Sequence, residues 1–360
     1  MMINFWGNES LADKINTELK KNTVPHSQLI TDIYGNGGLF LAFTIAKELL
    51  GRDPFKHPDF FLCFPIIKID RKTEVSNDLM ELFKIFYDKN NYCTTGDWLQ
   101  SFGSVNKQGS IGVEEINQLH QKINLKAFEG KNKVCVIWAP ELLNISAANK
   151  ILKLLEEPPH NTFFLLVSER PEQILPTIFS RTVVLNINQI PELEIERKLN
   201  LLEVSMASSI SKASSGSWSS ALEHTSNSGK RKKLELLWIK GFRGAFKSTG
   251  NKSIVIDLMD WAEEAASLTR DEQKTFFELG SVIIRSAFIS NYVATDVVNY
   301  FSLNDFKIEK LSPFINSKNI FEIKQIMDNS HYQILRNANS KILYSNLILK
   351  IAKLLNIKED

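Results

Sequence analysis

The segment ITDIYGNGGLFLAFTIAKELL, residues 30–50, has the outline of a phosphate-binding loop between a strand and a helix. In such loops, written GxxxxGK[ST], glycines let backbone N–H groups face the phosphates, while the lysine and the hydroxyl complete the site. Laid on this chain, the motif puts Asp32 at the first glycine and Gly37 at the second. Gly38 then takes the lysine position and Leu39 the hydroxyl position. One glycine, the lysine charge and the magnesium hydroxyl are therefore missing together.

The loop leaves two interpretations open. Gly35, Gly37 and Gly38 can still hold a tight turn, whereas the Asp32 carboxylate would repel a polyphosphate. The segment is then either an ordinary strand–helix turn or a vestigial nucleotide site without hydrolysis. We expect the turn, and hence no cofactor bound by this chain.

The second element of an ATPase site is also altered. In an active site, a strand such as Val134–Trp138 leads into an acidic pair that orders Mg²⁺ and the attacking water. Here Trp138 and Ala139 occupy that place, and Glu141 lies two positions beyond it. Loss of the lysine, the hydroxyl and the acidic pair predicts a chain without ATPase activity of its own.

Short apolar runs alternate with amphipathic stretches up to about residue 188. Because such runs suit strands buried on both faces of a parallel sheet, they predict an α/β domain. In the helix predicted for Ser146–Glu157, Ala148, Ile151, Leu152 and Leu155 would form one buried stripe. A second helix is predicted for Val113–Leu125. The strand candidates are Leu29–Ile33, Phe61–Ile67, Val134–Trp138, Phe163–Val167 and Val183–Leu185.

Strand patterns end after Pro191. Residues 192–223 predict short helices, and the polar segment HTSNSGKRKK, residues 224–233, is typical of a linker. The remaining pattern is helical, with an amphipathic helix predicted for Lys341–Leu355. The chain therefore begins with an α/β domain and ends in helices.

Composition excludes several classes of protein. The net charge of +2 gives no large basic footprint, which argues against a protein that holds DNA by itself. Cys63, Cys93 and Cys135 form no CxxC pair, so no zinc or redox motif is present, and sparse cysteines fit the cytoplasm. No apolar run is long enough to span a bilayer, and we expect no membrane association.

Three segments together resemble one family. KILKLLEEPP and FFLLVSERPEQILPTIFSRT follow each other within residues 150–182, and HPDFFLCFP precedes them. They resemble the bacterial replicative clamp loader subunits, and within these the delta-prime branch of DNA polymerase III subunits. The resemblance implies an AAA+ α/β core with a degenerate loop over residues 1–188. It also implies a small helical lid over 189–228 and an all-α collar for oligomerisation over 229–360.

The resemblance further implies a non-catalytic member of a hetero-oligomeric ring that loads a sliding clamp on primed DNA. Its partners would be gamma/tau-type ATPase subunits and a delta-type subunit, with the clamp and the DNA reached through the complex. Arg181, in Ser180-Arg181-Thr182, would act as an arginine finger in the ATP site of a neighbouring subunit. Position alone favours a helix cap or a surface ion pair for Arg181. The competing functions are a divergent gamma/tau-type ATPase and a stand-alone DNA-binding replication or repair protein.

Several departures from the family accompany this resemblance. The four-cysteine zinc module of many relatives is absent, since Leu50 runs through GRDPFK directly into HPDFF, and no metal is expected. Ser219 stands where active relatives have a lid arginine, and Ser168 stands where they have a polar sensor. The segment 97–116, with Lys107, is interpreted as a connecting loop rather than a DNA-facing one.

Overall fold

The computed structural model describes residues 3–67, 75–102, 109–129, 131–204, 206–226, 228–248, 252–292, 300, 302–304, 306–336 and 338–357. The chain divides into two compact units. The first comprises Met1–Glu203 and Ser214–Leu222, and the second comprises Val204–Ala213 and Glu223–Asp360. The three-part division at residues 188 and 228 stays a prediction.

The first unit is built on a five-stranded parallel sheet with the order β2-β3-β4-β1-β5. Every residue of β1 and β3 is buried, as expected for strands covered on both faces. The predicted parallel-sheet α/β domain is thus confirmed. The strands are β1 Ser27–Thr31, β2 Phe60–Cys63, β3 Lys133–Trp138, β4 Thr162–Ser168 and β5 Val183–Asn186.

Successive residues of strands β1 to β4 supply opposite hydrophobic cores. Along β3, Val134, Val136 and Trp138 belong to one core, whereas Cys135 and Ile137 belong to the other. The α-helices up to residue 226 are α1 Glu9–Lys21, α2 Gly38–Leu50, α3 Met80–Lys89, α4 Thr95–Gln100, α5 Val113–Asn124, α6 Ile145–Glu156, α7 Pro176–Phe179, α8 Glu192–Leu201, α9 Ala207–Ser214 and α10 Trp218–Ser226.

All five predicted strands exist, but two end earlier than predicted. β1 ends at Thr31 because the chain turns into the glycine loop at Asp32. β2 ends at Cys63 rather than Ile67, since Pro65 has no N–H to continue the ladder. Beyond it, Ile66 forms only an isolated antiparallel bridge with Ser110.

The two helices predicted in this unit begin and end within one residue of the prediction. α6 begins after Asn144, whose side chain accepts the N–H of Ala147 at 2.8 Å and caps the helix. One residue of the predicted stripe is wrong, because Leu152 is only half-buried while Leu154 is buried in its place.

The described part of the chain after β5 contains only helices. The second unit contains most of α9 and the end of α10, followed by α11 Ser228–Lys247, α12 Lys252–Ala266, α13 Arg270–Ile289, α14 Ile320–Leu335 and α15 Ser340–Leu354. The helix predicted for residues 341–355 is thus confirmed. None of the described helices is both long and apolar enough to cross a membrane.

The interpretation of residues 224–233 as a linker is wrong. α10 continues to Ser226 and α11 begins at Ser228. Lysine and arginine are good helix formers. The segment is polar because its early turns face solvent, with Lys232 and Lys233 exposed before the buried face begins at Leu234. Polarity alone does not separate a linker from the exposed start of a helix.

Two tryptophans organise the core of the second unit. The ring of Trp238 stacks on Phe276 at 4.3 Å, and its Nε1 donates to the carbonyl of the same residue at 2.7 Å. Trp261 donates through its indole nitrogen to the carbonyl of Leu237 at 2.6 Å. Each buried indole therefore has the hydrogen-bond partner that its N–H requires.

We expect Gly280→Ala to destabilise this unit by about 1–3 kcal/mol, because the added methyl overpacks the core. A Cβ at this position on α13 would overlap the Trp238 ring and lie 2.8 Å from Cε of Met327. Gly229, on α11, has open space around it, so Gly229→Ala is the matched control. Chemical denaturation measures both variants. Equal stabilities of the two would contradict the packing argument.

Candidate functional site

The loop between β1 and α2 folds around the carboxylate of Asp32. Its Oδ1 accepts the N–H of Asn36 and its Oδ2 accepts the N–H of Gly38, each at 2.7 Å. Gly35 and Gly37 have φ of 66° and 95°, the left-handed region that glycine adopts most easily. Asp32 is only 5% exposed. The loop therefore holds a buried carboxylate at the N-terminal end of α2, where backbone N–H groups favour an anion.

Burial and hydrogen bonding act on this carboxyl in opposite directions. Burial raises the pKa of Asp32, while the N–H groups of Asn36, Gly38, Gly37 and Gly35 oppose that shift. The net direction is upward. The backbone donors thus offset only part of the desolvation of the charge.

Side chains of the same unit cover each glycine of the loop. A Cβ at Gly37 would lie 2.7 Å from the ring of Tyr92, and one at Gly38 would lie 2.8 Å from Cβ of Asp32. A Cβ at Gly35 would overlap the hydroxyl of Ser219. Position 38 therefore accepts a side chain, including the lysine of an active loop, only if Asp32 moves.

Asn36 ties the loop to two distant segments of the same unit. Its amide nitrogen donates to the carbonyls of Gly216 and Asn188, at 2.9 and 3.1 Å. Its amide oxygen accepts the N–H of Trp218 at 2.7 Å. The side chain is fully buried, and its donors and acceptor are used for these contacts.

Lys198 lies among three aromatic rings next to this loop. Its ammonium is 3.6 Å from the ring centre of Trp6, 4.7 Å from that of Trp218 and 5.3 Å from that of Tyr92. Burial lowers the pKa of Lys198. Cation–π attraction compensates for some of the lost hydration.

Trp138 and Ala139 lie where an active ATPase site would have its acidic pair. Trp138 is buried, with its ring against that of Phe83, and Ala139 adopts a left-handed conformation with φ of 59°. Glu141 instead accepts the hydroxyl proton of Ser168 at 2.8 Å, and burial raises the pKa of this carboxyl. The fold brings Glu141 and Ser168 into contact. The hydroxyl of Ser219 lies elsewhere, against Gly35 of the glycine loop.

Sequence reasoning missed Glu169, which follows Ser168 at the end of β4. Its Oε1 accepts the N–H and the hydroxyl of Thr95, at 2.6 and 2.9 Å. Burial, with smaller contributions from the Asp32 and Glu141 charges, raises its pKa from 4.5 to about 7. A glutamate directly after a buried strand was the only sequence signal for this group.

Arg181 lies just after α7, at the surface of the first unit. Its Nε donates to Oε1 of Glu156 at 2.6 Å, Nη2 contacts the same oxygen, and Nη1 donates to the carbonyl of Thr177 at 2.8 Å. The side chain remains 34% exposed. Glu156 is the first glutamate of LEEPP, and its contact with Arg181 was not predicted from the sequence.

The remaining candidates form no second site. Lys107 lies outside the described residues. All three cysteines are free and buried. The residues that the structure describes contain no group of three or more histidine, cysteine or acidic side chains placed to hold a metal ion.

Comparison with known proteins decides the family. The model of the family described as DNA polymerase III, delta subunit, matches residues 7–191, which is just over half of the chain. The chain belongs to this DNA polymerase III delta subunit family. Its sheet unit and helical C-terminal region agree with the AAA+ fold class predicted from the sequence.

Several curated relatives of this family member are delta-prime subunits. That of Buchnera aphidicola is 38% identical over 84 residues, which are 23% of this chain and 25% of that protein. That of Yersinia pestis is 46% identical over 76 residues, 21% and 22% of the two chains. The predicted relationship to delta-prime subunits is thereby confirmed, although the matched stretch spans only about a quarter of these relatives. A solved gamma subunit-related protein from Thermotoga maritima aligns over 96% of this chain and 100% of its own, with 17% identity and a TM-score of 0.42.

The pKa of Glu169 predicts a pH dependence of stability. A carboxyl with a raised pKa binds its proton more tightly in the folded state, so the free energy of unfolding falls as pH rises between 4.5 and about 7. We expect Glu169→Gln to reduce the stability difference between pH 5 and pH 8 by roughly 1–3 kcal/mol. Denaturant titrations at the two pH values measure it.

The exposed Glu172, on the same segment, gives the control variant Glu172→Gln. It should keep the wild-type difference between the two pH values. The pKa values of Asp32 and Glu141 are also raised, and both groups are present in both variants. An unchanged difference in Glu169→Gln would show that this group does not carry the effect.

Proposed function

We propose that this chain is a non-catalytic, delta-prime-like subunit of the replicative clamp loader. The observation that carries the proposal is the loop around Asp32, in a family member that lacks the lysine, the hydroxyl and the acidic pair. The buried Asp32 carboxylate accepts the N–H groups of Asn36 and Gly38, and a lysine at position 38 would require Asp32 to move. The chain then contributes to ATP hydrolysis only through a neighbouring subunit.

Arg181 is the residue proposed to make that contribution. A guanidinium is planar and permanently charged, and it donates several hydrogen bonds to the oxygens of a transferring phosphoryl group. Supplied from another subunit, it makes hydrolysis depend on correct assembly. Its exposure and its position after a short helix support this role.

Glu156 holds the guanidinium in place before the partner arrives. A surface ion pair of this kind contributes only about 0–1 kcal/mol. The ion pair therefore orients the Arg181 side chain, and breaking it when the guanidinium moves to the phosphate costs little free energy. The carbonyl of Thr177 adds a third fixed contact, at 2.8 Å.

The proposed partners follow from the family. They are gamma/tau-type ATPase subunits and a delta-type subunit, with the sliding clamp and primed DNA reached through the assembled complex. One relative described as the tau subunit, from Bacillus subtilis, is 34% identical over 89 residues. The ATP and Mg²⁺ of the complex would be bound by these partners.

We expect Arg181→Ala to lower DNA-dependent ATP turnover at the neighbouring site by at least about 100-fold, because the charge that stabilises the transition state is removed. Arg181→Lys should recover little, since an ammonium lacks the planar fork. The assay is ATP hydrolysis by the reconstituted complex with clamp and primed DNA.

Arg52 supplies a closely matched control. It also pairs with a glutamate, Glu129, and donates to a backbone carbonyl, that of Lys56. Arg52→Ala should leave turnover unchanged. Wild-type turnover in Arg181→Ala would exclude the arginine finger, and hydrolysis by the isolated chain would favour a gamma/tau-type ATPase instead.

A further inference from the structure

We propose that Glu156 is a resting ligand of Arg181 that competes with the phosphoryl group for the same edge of the guanidinium. This competition rests on the proposed function, because it regulates the arginine that acts in the neighbouring subunit. The Glu156 carboxylate and the terminal phosphoryl group of a nucleoside triphosphate then bind Arg181 in turn. Glu156 is thus a positioning residue whose removal speeds hydrolysis in the complex instead of slowing it.

The guanidinium of Arg181 meets Glu156 along one of its two-donor edges. Its Nε donates to Oε1 of Glu156 at 2.6 Å, and Nη2 contacts the same oxygen. Arginine clamps carboxylates and phosphates alike through such an edge, with two N–H groups directed at the anion. An oxyanion that binds the Nε–Nη2 edge must therefore displace Glu156.

The third nitrogen of the guanidinium contacts residues close to Arg181 in the chain. Nη1 donates to the carbonyl of Thr177 at 2.8 Å and to Oγ of Ser180 at 3.4 Å. Both acceptors lie within four residues of Arg181, so these contacts stay available when the neighbouring subunit binds. Because Nη1 is engaged in this way, the Nε–Nη2 edge is the one that a phosphoryl group would take.

The position of Glu156 makes it a weak competitor. It is the last residue of α6, at the negative end of the helix dipole, which favours cations over carboxylates. Its side chain is 46% exposed, so water and salt screen its attraction for Arg181. A pair of this kind changes an equilibrium constant by at most about fivefold. A triphosphate with several negative charges can therefore displace the single carboxylate.

Breaking this ion pair is one contribution to the barrier to hydrolysis. The barrier measured from the free complex and free ATP is reported by kcat/KM, and it includes every contact broken on the way to the transition state. Replacing the Glu156 carboxylate by a neutral group removes this contribution, so kcat/KM rises. A purely structural role for Glu156 predicts the opposite, because loss of support for Arg181 would lower kcat/KM.

The test is ATP hydrolysis by the reconstituted complex with clamp and primed DNA. Glu156→Gln keeps the size of the side chain and removes its charge, and it should raise kcat/KM for ATP by about two- to fivefold. Glu157→Gln is the matched control, since Glu157 is the next residue, is also exposed and is not among the described contacts of Arg181. It should leave kcat/KM unchanged. An unchanged or lowered kcat/KM in Glu156→Gln would overturn the proposal.

A double variant separates this proposal from the arginine finger itself. Because the competition needs both partners, adding Glu156→Gln to Arg181→Ala should change kcat/KM no further. A rise of the same size without Arg181 would show that Glu156 acts by another route, and the competition would be wrong. Wild-type turnover in Arg181→Ala alone would instead exclude the finger, whatever the effect of Glu156→Gln.

The resting contact can also be measured in the isolated full chain, without hydrolysis. In protein labelled with ¹⁵N-arginine, the Nε–H resonance of Arg181 is identified by its loss in Arg181→Lys. Its proton should exchange with water at least about twofold faster in Glu156→Gln than in the wild type, because the acceptor carboxylate is gone. Glu157→Gln should keep the wild-type rate. Equal exchange rates in Glu156→Gln and the wild type would contradict the resting pair.

Discussion

A buried carboxylate bonded to backbone N–H groups is the constraint on which the rest of the first unit's candidate site depends. An ionised group without partners is costly to bury, so Asp32 requires the loop to present its N–H groups inward. That requirement sets the positive φ angles of Gly35 and Gly37 and the start of α2 at Gly38. Asn36 then points away from the carboxylate and joins the loop to residues 188 and 216–218.

The same principle extends along the carboxyl ends of the central strands. Open α/β sheets commonly bind ligands at this edge. Here the charges of Asp32 and Glu141 add to the burial that raises the pKa of Glu169, and each of the three carboxylates is bonded to donors of its own chain. The edge is occupied by internal hydrogen bonds. Arg181 differs, because its side chain is partly exposed and its carboxylate partner lies at the surface.

Much of the fold could be predicted because burial on both faces leaves a strong pattern. Strand β3 is apolar from Val134 to Trp138 and buried at every position, and a run of that kind has few other interpretations. The errors arose where a local signal had two physical causes. The polarity of residues 224–233 reflects solvent-facing helical turns rather than a linker. The strand assigned through Ile67 continued past Pro65 because hydrophobicity does not record the missing N–H.

The amino-acid sequence by itself determined which groups are missing: no lysine at position 38, no hydroxyl at 39 and no acidic pair at 138–139. The sequence also shows Arg181 within the motif Ser180-Arg181-Thr182. Only the tertiary structure decided which groups surround the loop at Asp32. Asn36 meets Gly216 across 180 residues of chain, and Thr95 meets Glu169 across 74. Hydrogen bonds at such separations leave no periodicity in the sequence, since they depend on where strands and loops converge in space.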